Sequence, residues 1–258
     1  MSKNLNLRTI DTVTTPVLQE PDQPHAKPLD AEAYALQITL ASLIQLGATT
    51  SRRSRQTTIG ISQLGGTCDR ELSYRENATC PSNLTDPLRA LVGTGLHLAL
   101  AELFRRLDAG AGRFLVETDV AYRGTPGTLD LLDRFSGTLI DWKSTTKAKI
   151  TQIRYHGPPG SYIIQLQAYA AALVTQGETV RKVALVYLPV DSTLEDIYVW
   201  LSTYEQQAAD TAIEKLAQMR LKAPHEVQAT PSALCAYCAY HNPQSTELDH
   251  ACPGKDHT

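Results

Sequence analysis

The most constraining feature of the sequence is a pair of apolar runs joined by a short polar turn, GTLDLLDRFSGTLIDWKST, from Gly127 to Thr145. Two such runs on either side of the segment RFSG predict a β-hairpin. Each run is interrupted by one carboxylate, Asp130 in the first and Asp141 in the second. Charge is costly where a strand packs into a core, so the hairpin predicts a functional site as well as a fold.

The length of the turn decides which residues of the hairpin face one another. A loop of two or four residues centred between Phe135 and Ser136 sets Asp130 opposite Asp141, about 4.5–5.5 Å apart at Cβ. A three-residue loop would shift that register. Facing carboxylates repel, and a divalent cation between them would reverse the sign of the interaction.

A lysine completes the polar set of the hairpin. Side chains alternate along a strand, so Lys143 shares the face of Asp141, and Trp142 points the other way, towards the core. Two acids and a lysine are the residue types of metal-assisted phosphodiester hydrolysis. A solvent-facing hairpin with an Asp–Lys ion pair is the structural alternative.

The elements around the hairpin follow the order α-β-β-β-α-β-α, which predicts a mixed sheet with helices packed on it. Asp86 and Pro87 form a helix-start signal for a helix that runs to about Asp108. The basic segment SRRSR at 51–55 is either a solvated loop or a phosphate contact. The other periodic segments are helices over 30–46, 161–176 and 203–221 and strands over 114–122, 128–133, 138–144 and 180–188.

Motifs on both sides extend the hairpin into a longer pattern. His97 lies in the preceding helix, and Gln165 and Tyr169 share one face of the following helix. The order His97, GTLD, IDWKS and QLQAY resembles the PD-(D/E)xK nuclease superfamily, and its RecB-type branch in particular. The resemblance implies an α/β fold with a restriction-endonuclease-like α-β-β-β-α-β core, a central mixed sheet flanked by helices. The second acid of that pattern is usually glutamate, so Asp141 is the shorter variant.

The resemblance also implies roles for individual residues. His97, Asp130 and Asp141 are expected to bind Mg²⁺ or Mn²⁺, with the backbone carbonyl of Trp142 as a further ligand. Gln165 and Tyr169 are expected to contact the DNA strand or to brace the lysine. The catalytic residues implied are Lys143, Asp130, Asp141, Gln165 and Tyr169.

Two other acids near this pattern receive a structural interpretation. Glu102 lies five residues after His97, and Glu117 lies on the strand before the hairpin. We interpret Glu102 as a structural residue and Glu117 as ordinary strand polarity.

The five cysteines predict metal binding rather than disulfides, because no signal-peptide-like apolar stretch opens the sequence. Cys235 and Cys238 form a C-x-x-C turn, Cys252 follows, and Cys68 lies far upstream. This arrangement resembles iron–sulfur RecB-like nucleases, including the CRISPR-associated and AddB-type domains, although the gap before Cys252 is longer than theirs. The resemblance implies a [4Fe–4S] cluster on these four cysteines. Structural Zn²⁺ is the alternative to the cluster, and Cys80 is the alternative to Cys68.

In those relatives the cluster staples the two ends of the chain around the core. The predicted domains are accordingly a flexible N-terminal arm (1–29), a helical region with the first cluster cysteine (30–85), a nuclease core (86–190), and a C-terminal helix with the cysteine segment (191–258).

The predicted function is a metal-dependent DNA exonuclease on single-stranded ends, in recombination, repair, or phage or CRISPR DNA processing. The alternatives are a non-catalytic DNA-binding or partner-docking module, and an endonuclease of restriction or junction-resolving type. Predicted partners are DNA and, because the sequence lacks a G-x-x-x-x-G-K-[ST] motif, a separate helicase or recombination or CRISPR protein.

Composition sets the remaining expectations about partners and location. A net charge of −3 excludes a global basic field but leaves room for a local basic groove. The sequence contains no run of 18 apolar residues, so we expect no membrane span. We expect a cytoplasmic protein.

Overall fold

A computed structural model describes residues 31–49, 58–83 and 85–254. By its contacts the chain divides into two compact units, residues 1–42 and 43–258. The predicted N-terminal arm and the basic segment at 51–55 lie outside the described residues. The four-part division of the chain stays a prediction.

The second unit contains a mixed sheet, with strands in the order β1-β2-β3-β4-β5 among the described residues. Only β3 and β4 pair in parallel; the other neighbours are antiparallel. The predicted α-β-β-β-α-β core is confirmed. The helices are α1 Ala31–Thr49, α2 Asp69–Glu76, α3 Leu88–Asp108, α4 Lys147–His156, α5 Gly160–Thr175 and α6 Gln206–Met219, and the strands are β1 Phe114–Tyr122, β2 Thr125–Asp133, β3 Thr138–Thr145, β4 Lys182–Pro189 and β5 Tyr198–Thr203.

The hairpin between β2 and β3 has a four-residue turn, residues 134–137. The backbone N–H of Gly137 donates to the carbonyl of Asp133 at 2.8 Å, and Gly137 has φ of +65°, a conformation that favours glycine. The ladder pairs Asp133 with Thr138 and Leu131 with Ile140. This is the register predicted for a two- or four-residue loop.

Helix α3 begins just after the predicted start signal at Asp86 and Pro87 and ends at the predicted residue. The Asp86 carboxylate accepts a hydrogen bond from the backbone N–H of Leu88 at 2.8 Å, and the helix ends at Asp108, before left-handed Ala109. Phe104 of α3 stacks on Trp142 at a centroid distance of 5.6 Å. This contact holds α3 against β3.

Two elements of the sheet region are absent from the sequence prediction. Helix α4 begins after Thr146, whose hydroxyl accepts from the backbone N–H of Lys149, and ends before Gly157. Strand β5 alternates between partly covered and exposed residues, with Val199 and Leu201 about half exposed. The predicted helix over 203–221 therefore starts too early, because Thr203 still pairs with β4 and α6 begins at Gln206.

Helix α5 provides the main cover of the sheet. Leu166 and Leu173 are fully buried among residues of the strands such as Leu132 and Leu185. Within the part of the chain that the structure describes, the helices lack the length and apolar character needed to cross a membrane.

Candidate active site and cysteine pocket

The β2–β3 ladder opens at the pair formed by Asp130 and Asp141. This pair is the next in register, but it is not bridged by backbone hydrogen bonds. Instead, Oδ2 of Asp130 accepts a hydrogen bond from the backbone N–H of Trp142 at 2.8 Å. Oδ1 of the same carboxylate lies 3.1 Å from Nδ1 of His97. Asp130 thus connects β2 to β3 and to α3, as expected for a residue at the centre of the site.

Asp141 and Lys143 form a buried network with helix α5. Nε2 of Gln165 donates to Oδ1 of Asp141 at 2.7 Å, and Nζ of Lys143 donates to Oε1 of Gln165 at 3.3 Å. The lysine Nζ also lies 2.6 Å from Oδ2 of Asp141. The same Nζ is 4.4 Å from the ring centroid of Tyr162, a cation–π contact that the sequence reasoning missed.

Burial dominates the electrostatics of Asp141, which is 4% exposed. Desolvation raises the pKa of Asp141 to about 6; the charge of Asp130 adds to this, and Lys143 and His97 oppose it. The hydrogen bond from the His97 ring to the Asp130 carboxylate raises the pKa of His97 above its ordinary value. The site therefore concentrates negative charge that one lysine and one histidine only partly balance.

The residues of this site fit a divalent metal ion. Ligand atoms of His97, Glu117 and Asp130 lie within 4.8 Å of one another. Carboxylate oxygens with an imidazole nitrogen suit Mg²⁺ or Mn²⁺. Oδ2 of the neighbouring Asp141 is buried and has Nζ of Lys143 as its ion-pair partner at 2.6 Å. A cation here would offset the repulsion between the carboxylates.

Glu117 is a residue of the site that the sequence interpretation set aside. In the β1–β2 ladder, Val116 pairs with Leu131 and Thr118 with Leu129, which places Glu117 opposite Asp130. Carboxylates from β1, β2 and β3 therefore occupy one row across the sheet. The signal was in the sequence, because a two-residue Arg-Gly turn after β1 sets this register. The structure thus places Glu117 beside His97 and Asp130, where the sequence interpretation expected only ordinary strand polarity.

The structure gives Tyr169 and Glu102 different surroundings from the metal-binding residues. Tyr169 is 5% exposed, and a Cβ added to Gly127 would lie 2.7 Å from its Cε1 atom. Its ring packs beneath β2 and is not available to stack on a DNA strand. Glu102 is exposed and lies 3.8 Å from Arg106 on the same helix, in agreement with a structural role.

Residues 116–242 of the chain match the family model of the PD-(D/E)XK nuclease superfamily. The matched segment contains both carboxylates of the hairpin, the lysine and helix α5. This segment, just under half of the chain, is therefore similar to the PD-(D/E)XK nuclease superfamily. No curated protein matches the sequence.

Three solved structures have some likeness to the chain; two are described as exonucleases, and the description of the third states no activity. They are an alkaline exonuclease from Laribacter hongkongensis (13% identity, TM-score 0.45, covering 65% of this chain and 88% of that one), SSO0001 (18%, 0.47, 80% and 93%), and a phage-related exonuclease from Haemophilus somnus 129PT (12%, 0.38, 64% and 92%).

Outside the sheet of the nuclease core, four cysteines line one pocket. They are Cys68 at the start of α2, Cys235 and Cys238 around a 3₁₀ turn, and Cys252. Cys80 is exposed and is not among the residues that line the pocket. The structure therefore brings together the predicted four cysteines and favours Cys68 over Cys80.

Several donors point at the sulfur atoms of this pocket. The backbone N–H groups of Ser232 and Gly254 donate to the Sγ atoms of Cys235 and Cys252, each at 3.4 Å. Nη1 of Arg70, a residue that is 3% exposed, lies 3.9 Å from Sγ of Cys252. Such donors stabilise thiolates, which are the form that binds metals.

Burial acts in the opposite direction on another thiol of the pocket. It raises the pKa of Cys238 to about 11, helped by the nearby charge of Glu71 and the other cysteines. Without a bound cation, this thiol stays protonated at neutral pH. Binding of a metal group would therefore release a proton from Cys238.

The pocket also joins two distant parts of the chain. The backbone N–H groups of Ser82 and Asn83 donate to the carbonyl of Ala239, and Tyr74 stacks on Tyr240 at 4.9 Å. Nε of Arg70 donates to the carbonyl of Val227, 157 positions away in the sequence. The segment around α2 and the segment after α6 therefore share a small buried cluster, which contains Tyr74, Tyr240 and Cys252.

Proposed function

We propose that the protein is a metal-dependent DNA exonuclease of the RecB-like type, acting on DNA that is single-stranded or has free ends. The observation that carries this proposal is the buried network of Asp141, Lys143 and Gln165 beside the Asp130 carboxylate. A solvated hairpin would have no reason to bury Asp141 beside a partly buried Asp130 and a partly buried Lys143. A separate helicase, recombination or CRISPR protein would supply the substrate ends.

In this proposal, His97, Asp130 and Asp141 hold Mg²⁺ or Mn²⁺ together with the carbonyl of Trp142. When bound, the ion polarises the scissile phosphate and lowers the pKa of a water molecule. Asp130 sets the position of β3 relative to α3, since it contacts both.

Lys143 has the role of orienting water and stabilising negative charge at the phosphate. Gln165 accepts from Lys143 and donates to Asp141, so it fixes the separation of the two groups. Tyr169 supports the hairpin from below through Gly127. Its role is to position the hairpin and not to contact DNA.

The test is cleavage of end-labelled DNA in the presence of Mg²⁺ or Mn²⁺. Lys143→Ala and Asp141→Ala should abolish cleavage. Lys182→Ala is the matched control, because Lys182 is exposed at the opposite end of the sheet. Activity that survives in Lys143→Ala would refute the site. Cleavage of closed circular DNA would indicate an endonuclease, and no metal-dependent cleavage by the wild type would favour a non-catalytic DNA-binding module.

We further propose that Cys68, Cys235, Cys238 and Cys252 bind a [4Fe–4S] cluster. The four cysteines line one pocket, and backbone and Arg70 donors lie near the sulfur atoms of Cys235 and Cys252. Four thiolates suit either a [4Fe–4S] cluster or Zn²⁺, and the resemblance to iron–sulfur nucleases favours the cluster. When bound, such a cluster would cross-link the segments before and after the core.

The cluster proposal has its own test. Anaerobically purified protein should be brown, with broad absorption near ~400 nm from thiolate-bound iron. Colourless protein with one equivalent of zinc would refute the cluster and establish the alternative. Neither result depends on whether the protein cleaves DNA.

A further inference from the structure

Glu117 has an unusual backbone conformation for a residue within a strand. Its φ is +43°, in the left-handed region that residues with a side chain rarely adopt. Strain of this kind persists only where the surrounding structure enforces it. Glu117 therefore needs an explanation that an ordinary strand residue would not.

The distortion is confined to one residue and leaves the strand register unchanged. Val116 and Thr118 both pair with β2, and the partners on β2 are likewise separated by one residue. A β-bulge would insert an extra residue and shift the pairing, and it would bend the strand. At Glu117 the pairing is not shifted, so the strand contains no inserted residue. We interpret the distortion as a change in the direction of the Glu117 side chain.

The direction of that side chain leads to the active site. A carboxylate oxygen of Glu117 lies within 4.8 Å of ligand atoms of His97 and Asp130. The three residues come from β1, α3 and β2, so this grouping does not follow from their closeness in sequence. Asp141 of β3 is the next residue in register opposite Asp130.

We propose that Glu117 is an additional protein ligand of the divalent metal ion, held towards His97 and Asp130 by its strained backbone. This inference rests on the proposed function, because it requires the metal. The carboxylate adds a hard oxygen donor, of the type that Mg²⁺ and Mn²⁺ prefer, to a set of short aspartates. It also explains why the strand retains a conformation better suited to glycine.

The experiment compares two substitutions in the full chain. Glu117→Gln removes the charge and keeps the backbone strain, whereas Glu117→Gly removes the carboxylate and the strain together. Mn²⁺ binding is measured by calorimetry, and the thermal midpoint is measured without metal. Both variants should bind Mn²⁺ about tenfold or more weakly than the wild type. In the metal-free state, Glu117→Gly should melt above Glu117→Gln, although glycine in a strand normally destabilises.

The controls separate the failure of this inference from the failure of the proposed function. Asp130→Ala should lose Mn²⁺ binding, and Glu102→Gln, at an exposed acid, should retain it. Unchanged Mn²⁺ affinity in Glu117→Gln, together with loss in Asp130→Ala, would overturn the role of Glu117 alone. A wild-type protein that does not bind Mn²⁺ would overturn both.

Discussion

The carboxylate site and the cysteine pocket are assembled by different physical means. In the first, the strand ladders set Glu117, Asp130 and Asp141 side by side, and the hydrogen bonds between elements join residues 12 to 33 positions apart. In the second, a cysteine before the core meets three beyond it, through loops and hydrogen bonds that span more than 150 positions. The register of neighbouring strands thus positions the residues of the carboxylate site. Contacts between residues far apart in the sequence position the residues of the cysteine pocket.

Breaking the carboxylate site should have the largest effect on activity and leave the cysteine pocket intact. In Asp130→Ala, we expect DNA cleavage to fall by about 10³-fold, because the residue binds the ion and links α3 to β3. The absorption of the cluster near ~400 nm should not change. Steady-state cleavage and absorption measured on one preparation check both statements. Loss of the absorption would show that the two sites are not independent.

Breaking the cysteine pocket should give the converse result. Cys252→Ser should remove the cluster and lower the free energy of unfolding by several kcal/mol, because the binding energy of a metal group stabilises the folded state. Cys80→Ser is the control and should change neither property. Iron content and chemical denaturation provide the measurements. A protein that keeps its iron after Cys252→Ser would exclude this cysteine as a ligand.

The support beneath the hairpin can be tested at Gly127. Gly127→Ala would place a Cβ 2.7 Å from the buried ring of Tyr169, and we expect a loss of about 1–3 kcal/mol. Gly95→Ala in α3 is the matched control, because no described heavy atom lies within 4 Å of the added Cβ. That change should stabilise the helix by up to about 1 kcal/mol. Equal midpoints for the two variants would argue against close packing under β2.

The smallest predicted effect concerns the ring beside the catalytic lysine. Tyr162→Leu should lower kcat by about fivefold with little change in KM, because a cation–π contact of about 1 kcal/mol is lost at Lys143. Tyr162→Phe keeps the ring and should retain most of the activity. Single-turnover cleavage rates distinguish the two. An equal loss in both variants would assign the effect to the hydroxyl instead.

Some features of the carboxylate site could be predicted from the sequence, and others could not. The hairpin register followed from turn length, because pairing in a ladder is periodic. Glu117 was missed because a single acid on a strand has no pattern of its own until the neighbouring register is counted. Tyr169 was expected to contact DNA or to brace the lysine. Its position four residues after Gln165 identifies the helix face on which it lies but does not indicate how deeply it is buried.

The cysteine pocket illustrates a different limit of the sequence. No local periodicity relates Cys68 to Cys252, so their meeting could be expected only from a resemblance to known nucleases. Strand β5 was missed for a similar reason, because its exposed Val199 and Leu201 blur the alternation that identifies a strand. Tertiary contacts determine both the cysteine pocket and strand β5, and a short segment of sequence does not reveal such contacts.

The span of the cysteine pocket has a consequence for the order in which the protein forms during synthesis. The sheet is complete once β5 has been made, and every residue of the carboxylate site precedes β5 in the chain. The pocket has to wait for Cys252. A nascent chain can therefore assemble its catalytic residues first, and the segment around α2 stays without its partner until the last cysteine emerges. Binding of the proposed cluster would then be a late event, which follows the folding of the sheet.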